Sequence, residues 1–128
     1  MLSFEEIQKL VLDHIGLVEI NRDAIIDARN RAAKFLVIQA HLSEHLKVLD
    51  DVMVKASTEE KAMYAQAILG AGGKNVTEAK IIAEANPEYC RSRETIELIK
   101  SEHNWAKRHF DIFENAHVMF RQIASEKG

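Results

Sequence analysis

The sequence predicts a single all-α domain, in which two long amphipathic helices follow one short helix. Glycine (5) and proline (1) are scarce among the 128 residues, whereas the residue types that favour helix are abundant. A chain of this length is typical of one domain. Apolar residues also recur at alternating spacings of three and four, the pattern by which one helix packs along another. We therefore expect one helical domain over residues 1–128.

The first predicted helix is short and spans about residues 3–15. Ser3 stands three residues before Glu6, which is the spacing of a capping box at a helix N-terminus. Gly16 then ends the helical pattern. The apolar residues that recur at helical spacing are Phe4, Ile7, Val11 and Ile15.

The second predicted helix is long and spans about residues 23–69. Its seam, meaning the line of positions alternating three and four apart, has only two polar members, Gln39 and Glu60. The seam positions are Ile25, Ala28, Ala32, Phe35, Gln39, Leu42, Leu46, Leu49, Met53, Ala56, Glu60, Met63 and Ala67. Ser57 with Glu60 could cap a new helix, so a break near Ser57 is the alternative. Because the seam keeps its phase across Ser57, we expect one continuous helix.

A glycine turn at residues 70–73 separates this helix from the rest of the chain, because clustered glycines disfavour helix and readily adopt positive φ. A short helix is expected at 77–85, with Thr77 as its cap. Asn86 and Pro87 are typical of an N-cap and a first helical residue, so a last helix is expected at 87–126. Its seam continues from the short helix through Ile82, Ala85, Tyr89, Ser92, Ile96, Ile99, His103, Ala106, Phe110, Phe113, His117, Phe120 and Ala124.

Two seam-bearing helices joined by a glycine turn favour a long antiparallel hairpin. Apolar residues that lie off both seams would be exposed to water in the hairpin alone. We expect the first helix and copies of the same chain to pack against them. We therefore expect a homo-oligomer. The residues expected at the contact between chains are Trp105, Phe110, Phe113, Leu36 and Val52. The polar seam residues Gln39, Glu60, His103 and His117 are expected to be satisfied by groups of the facing helix and to fix register.

Two motifs resemble metal sites, and neither is complete. His41, Glu44 and His45 have the H-x-x-E-H spacing of one zinc hydrolase class, but no third ligand is evident. Glu114 and His117 form an E-x-x-H pair, which di-iron bundles use twice and which occurs once here. We therefore expect no metal, no cofactor and no enzymatic activity.

Cysteine usage, charge and hydropathy restrict the setting and the partners. Cys90 is the only cysteine; it has no histidine close in sequence, and we interpret it as a packing residue in a reducing environment. The net charge of −3 and a pI near 6.1 argue against nucleic-acid binding by bulk positive charge. No apolar stretch approaches the roughly 20 residues of a membrane span. We expect a cytoplasmic protein, in the host cell cytoplasm if it is phage-encoded.

Local basic residues are the candidate nucleic-acid contacts. Arg29, Arg31 and Lys34 cluster near the start of the second helix, and Lys61 and Lys74 lie on either side of the glycine turn. The alternative is that these are ordinary solvated helix faces, since acidic residues are interleaved with them.

The order of features resembles the UvsY-type phage recombination mediators. The resemblance consists of the short first helix, the long helix ending in AQAILGAGG, the segment closing on AEANPEY and the last helix containing SEHNWAKRHFDIF, with Ala85, Tyr89 and Trp105 at matching places. It implies a ring-forming helical protein that binds single-stranded DNA and helps to load a recombinase. The family has a basic pair shortly before the glycine turn, whereas only Lys61 stands there in this chain, next to Glu60.

Two functions follow as hypotheses. The first is a non-catalytic recombination mediator, with single-stranded DNA and recombination proteins as partners. The second is a helical protein–protein interaction module, such as a phage-type adaptor or inhibitor, that does not bind DNA.

Overall fold

The computed structural model describes residues 1–127, and all regular structure in that range is helical, which confirms the expected all-α class. Gly128 lies outside the described residues. The elements are α1 (Phe4–His14), a 3-10 turn (Ile15–Val18), α2 (Arg22–Ile26), α3 (Ala28–Gly70), α4 (Val76–Glu84) and α5 (Pro87–Lys127). Among the described residues, no helix has the length together with the apolar character that crossing a membrane requires.

The predicted capping box begins α1. The backbone N–H of Glu6 donates to Ser3 Oγ at 3.1 Å, and the backbone N–H of Ser3 donates to Glu6 Oε1 at 3.2 Å. The bond from the Ser3 backbone lowers the pKa of the Glu6 carboxyl, because it stabilises the ionised form. The backbone N–H groups of Ser3 and Glu6, which have no partner within the helix, are therefore both hydrogen-bonded.

The second predicted helix begins differently from the expectation of an uninterrupted segment from residue 23. Asn21 caps α2 by accepting from the Ala24 N–H at 2.8 Å, and Asp27 (φ −99°, ψ 18°) separates α2 from α3. The Asp27 carboxylate accepts from Asn30 Nδ2 at 2.9 Å, and the Asp27 carbonyl accepts from the Arg31 N–H at 3.0 Å, so both bonds lie in the first turn of α3. From Ala28 onward α3 is continuous to Gly70 and has no break at Ser57.

The helix after the glycine turn starts one residue earlier than expected and has a different cap. Asn75, not Thr77, is the N-cap of α4, because its extended backbone (φ −152°, ψ 174°) lets its side chain accept from the Glu78 N–H at 2.9 Å. Within the turn, Gly72 has a positive φ of 65°. Asn86 caps α5 as expected, accepting from the N–H groups of the second and third helical residues at 2.9 and 3.2 Å.

The predicted seams are the packed faces of the two long helices. In α3, all seam positions from Ala28 to Ala67 are buried or half-buried, and the same is true in α5 from Tyr89 to Ala124. Ile82 and Ala85 differ because they belong to α4 and its C-terminal end, where both are exposed. The heptad spacing therefore identifies the paired face wherever α3 and α5 themselves continue.

Two compact units contain these helix segments. Unit 1 comprises Met1–Lys47 and Asn104–Gly128. Its core contains Phe35, whose ring centroid lies 5.6 Å from that of Phe113 and 5.5 Å from that of Phe120. The α1 residues Ile7 and Val11 belong to the same cluster, so the short first helix covers part of the long pair in this unit.

Unit 2 comprises Val48–His103 and has a smaller core. Its buried cluster contains Leu49, Ala56, Ile96 and Ile99, with Met53 packed against it. The ring centroids of Tyr64 and Tyr89 lie 4.9 Å apart. Burial raises the pKa of the Tyr89 phenol, since a tyrosinate would lose its hydration there.

Candidate functional site

Arg31, one of the predicted DNA contacts, is a structural residue of unit 1. Its side chain is buried, and Nη1 donates to the Leu17 carbonyl at 2.9 Å. Nε lies 3.7 Å from a carboxylate oxygen of Asp27. Arg31 therefore attaches the 3-10 turn to α3. Its guanidinium is not presented to a phosphate backbone in this arrangement.

The other four predicted DNA contacts are exposed. Arg29 and Lys34 lie on α3 within unit 1, and five helical residues separate their side chains by about 140° around the helix axis. They therefore face different sides of α3. Lys61 and Lys74 belong to unit 2, Lys61 near the end of α3 and Lys74 in the turn before α4.

The acidic excess of the chain lies in unit 2. Counting along the sequence, unit 2 has 7 Lys and Arg against 10 Asp and Glu, whereas unit 1 has 10 of each. Lys61 and Lys74 therefore lie in the unit with a net charge of −3, and Glu59, next but one to Lys61, is exposed. Neither unit has the positive balance that phosphate binding by bulk charge requires.

The H-x-x-E-H residues have different surroundings. The His45 ring is buried and stacks on Phe4 at 5.0 Å, with an interplanar angle of 16°. His41 is half-buried and Glu44 is exposed. Phe4 also meets Trp105 edge-on at 5.4 Å, so His45 belongs to an aromatic cluster of the fold.

The E-x-x-H residues also have separate surroundings. The Nδ1–H of His117 donates to the Ala32 carbonyl at 2.8 Å, which makes it the predicted seam residue satisfied by the facing helix. Glu114 is exposed. Among the residues described, no group of three or more His, Cys, Asp or Glu side chains is arranged to hold a metal ion.

Two further polar seam residues have different outcomes. His103 Nε2 lies 3.3 Å from a carboxylate oxygen of Asp50 within unit 2, as expected of a seam residue with a partner on the facing helix. Gln39 is buried, and within residues 1–127 its Oε1 has no hydrogen-bond partner.

Cys90 is half-buried, and its thiol donates to the Glu84 carbonyl at 3.3 Å.

The five residues expected between chains divide into three groups. Phe113 is fully buried in unit 1, where it packs on Phe35, and is not exposed to a second chain. Trp105 and Phe110 are half-buried and pack against the same core. Leu36 and Val52 are exposed, in unit 1 and unit 2 respectively.

One continuous apolar surface of unit 1 was only partly predicted. Ala33, Leu36, Val37 and Ala40 are all exposed on α3, and Leu36 and Val37 retain 54% and 55% of their accessible surface. Their spacing of three, one and three places them on one side of the helix. The signal was present in the sequence as a second apolar pattern beside the seam, of which Leu36 alone was assigned to a contact.

Comparison with known proteins identifies no relative: no protein-family model, no curated protein and no solved structure matches this chain.

Proposed function

We propose that this chain is a non-catalytic helical assembly module that binds protein, including copies of itself, through exposed apolar helix faces. The observation that supports it most is the outer side of α3 in unit 1, where Leu36 and Val37 lie next to each other and both are more than half exposed. Exposed apolar surface that is continuous rather than scattered is typical of interaction sites. Unit 2 has exposed apolar side chains of its own, including Val54 and Leu98.

We also propose the antiparallel hairpin as the arrangement of α3 and α5. In unit 1, Ala32 pairs with His117, whereas His45, later in α3, shares the Phe4 ring with the earlier α5 residue Trp105. In unit 2, Asp50 contacts His103, and the rings of Tyr64 and Tyr89 are adjacent. Within each unit, therefore, later residues of α3 lie near earlier residues of α5. This order supports antiparallel pairing.

The assembly proposal is tested by the mass of the wild-type chain in solution. We expect size-exclusion chromatography with light scattering at micromolar concentration to give a mass above that of one 14.5 kDa chain, because association removes the outer α3 side chains from water. A mass of one chain at all accessible concentrations would contradict the proposal.

The second candidate is the recombination mediator, located in the cytoplasm of the cell in which the chain acts. The exposure of Arg29, Lys34, Lys61 and Lys74 favours it, because these four side chains are accessible to phosphate. The resemblance to UvsY-type mediators supplies the rest of the proposal, namely single-stranded DNA as ligand and recombination proteins as partners.

The mediator proposal predicts binding of labelled single-stranded DNA that weakens as salt increases, since phosphate contacts release counterions. Changing Lys61 and Lys74 together to glutamate tests unit 2, and changing Arg29 and Lys34 tests unit 1. Absence of binding even at ~50 mM salt, where such contacts are least screened, would exclude the mediator and leave the assembly module.

A further inference from the structure

The outer face of α3 in unit 1 comprises Arg29, Asn30, Ala33, Leu36, Val37, Ala40, Ser43 and Glu44. Ser43 is half-buried and all the others are exposed. Another side of the same helix is covered within unit 1, where Ile38 packs in one cluster with Ile7 and Val11 of α1. The outer face is therefore the part of this helix segment that is left open in the single chain.

The chemistry of this face is nearly symmetrical about a point between Leu36 and Val37. Large apolar residues lie at its centre, and Ala33 and Ala40 lie three residues to either side of them. Small polar residues, Asn30 and Ser43, come next. The ends carry opposite charges, Arg29 at one and Glu44 at the other.

We infer that this face binds the same face of a second copy, with the two α3 helices antiparallel and a twofold axis passing between Leu36 and Val37. The inference rests on the proposed assembly function and specifies its contact. In this register Leu36 opposes Val37 of the second copy, and Ala33 opposes Ala40. Arg29 opposes Glu44, and because a twofold contact repeats each pair, this ion pair forms twice.

The charges select the antiparallel direction. Parallel helices in register would place Arg29 against Arg29 and Glu44 against Glu44, which is repulsive at both ends. Within the side chains described, neither Arg29 nor Glu44 forms an ion pair inside its own chain. Both are therefore available to the second copy.

The size of the side chains favours close approach of the two helices. Helices pack with their axes about 8–10 Å apart, depending on the residues at the contact. Alanine at positions 33 and 40 permits the short end of that range, so that Leu36 and Val37 of both copies meet at the centre. One helix pair over sixteen residues is smaller than a standard interface of roughly 1,600 Å², and we expect dissociation in the micromolar range.

Charge exchange tests the register. Sedimentation of full-length chains should show that Arg29→Glu alone and Glu44→Arg alone each weaken dimerisation at least tenfold, because each places like charges opposite each other. The double variant Arg29→Glu with Glu44→Arg should dimerise as the wild type does. An equimolar mixture of the two single variants should form a mixed dimer, since every opposing pair is then complementary.

The matched control is Leu12→Glu, which introduces a charge at an exposed apolar position of α1 in the same unit. It should leave the dimer unchanged, whereas Leu36→Glu should abolish it. Circular dichroism of each variant confirms that the helices are retained; because these side chains are on the surface, we expect no loss of helix.

Disulfide cross-linking tests the position of the twofold axis, with Cys90 replaced by serine in all chains. Leu36→Cys lies next to the axis and should cross-link to its own copy in the second chain. Arg29→Cys should not, because the two copies of residue 29 would be about 22 Å apart along the helix axes, whereas bridged Cα atoms lie within roughly 7 Å.

The outcomes separate this inference from the proposed function. If the wild type is a monomer throughout, both are contradicted. If it assembles and the Leu36→Glu chain assembles equally well, or if the double charge exchange does not restore dimerisation, the outer face of α3 is not the contact and only the assembly function stands.

Discussion

Two basic residues of α3, Arg31 and Lys34, differ in what they contribute to stability. Arg31→Ala removes the donor to the Leu17 carbonyl and the neighbour of Asp27, so we expect the free energy of unfolding to fall by about 2 kcal/mol. Lys34 is exposed, and Lys34→Ala should change it by less than about 0.5 kcal/mol. Urea unfolding followed by circular dichroism measures both. Equal effects would contradict the structural role of Arg31.

A second residue-scale prediction concerns Gln39, a polar residue in the buried seam. Because its Oε1 has no partner among the described residues, Gln39→Leu should remove the cost of a buried unpaired acceptor and raise the free energy of unfolding by about 1 kcal/mol. Gln122→Leu, at an exposed position of α5, is the control and should give no gain. Destabilisation by Gln39→Leu would show that the amide is satisfied in solution.

At this scale, a residue's role is predictable from the sequence where it follows from the residue's own helix, and it is not predictable where it depends on a distant backbone group. His117 was predicted to bond to the facing helix because its seam position requires it. Arg31 was assigned to a DNA surface because its partner, the Leu17 carbonyl, lies 14 residues earlier in a 3-10 turn that no pattern indicated. Gln39 was also expected to have a partner on the facing helix, and its Oε1 has none among the described residues.

At the scale of elements, the glycine turn between α3 and α4 gives a matched pair of substitutions. A Cβ on Gly73 would lie 2.9 Å from the Ala79 backbone nitrogen, whereas a Cβ on Gly70 would meet nothing within 4 Å. Gly73→Ala should therefore lower the stability of unit 2 by roughly 1–3 kcal/mol. Gly70→Ala should leave it unchanged or raise it, since alanine favours helix by up to about 1 kcal/mol.

Thermal unfolding of the two alanine variants measures this difference. A Gly73→Ala chain as stable as the wild type would mean that the start of α4 shifts to accommodate the methyl group. The turn would then not be fixed by this contact.

Helix existence was predictable, and helix boundaries were predictable only in part. The seam of α3 keeps its phase from Ala28 to Ala67, so its continuity past Ser57 follows from the spacing alone. The cap at Asn75 depends on a bond from the Glu78 N–H to the Asn75 side chain, and apolar spacing does not record such a bond. The interruption at Asp27 is likewise not marked by the apolar spacing.

At the scale of the whole molecule, the sequence predicts that apolar side chains exceed what one chain can cover, but not which of them remain exposed. Phe113 and Leu36 were both assigned to the contact between chains. The first is buried against Phe35, and the second lies on the outer face of α3. Packing of α1 against the long pair decides between them, and the heptad positions alone do not specify where α1 lies.

The two proposed functions differ in how Arg29 is used. In the assembly module it pairs with Glu44 of a second copy, whereas in the mediator it contacts phosphate. The two uses compete for one guanidinium, so DNA binding by a dimer held by the outer face of α3 would need other residues, such as Lys61 and Lys74.

Native mass spectrometry of the wild-type chain, recorded alone and with a single-stranded DNA oligonucleotide, tests the central claim most directly. We predict assemblies of even subunit number without DNA, beginning at twice the 14.5 kDa chain mass, because a twofold contact joins chains in pairs. A single species of one chain mass at tens of micromolar, with or without DNA, would contradict it.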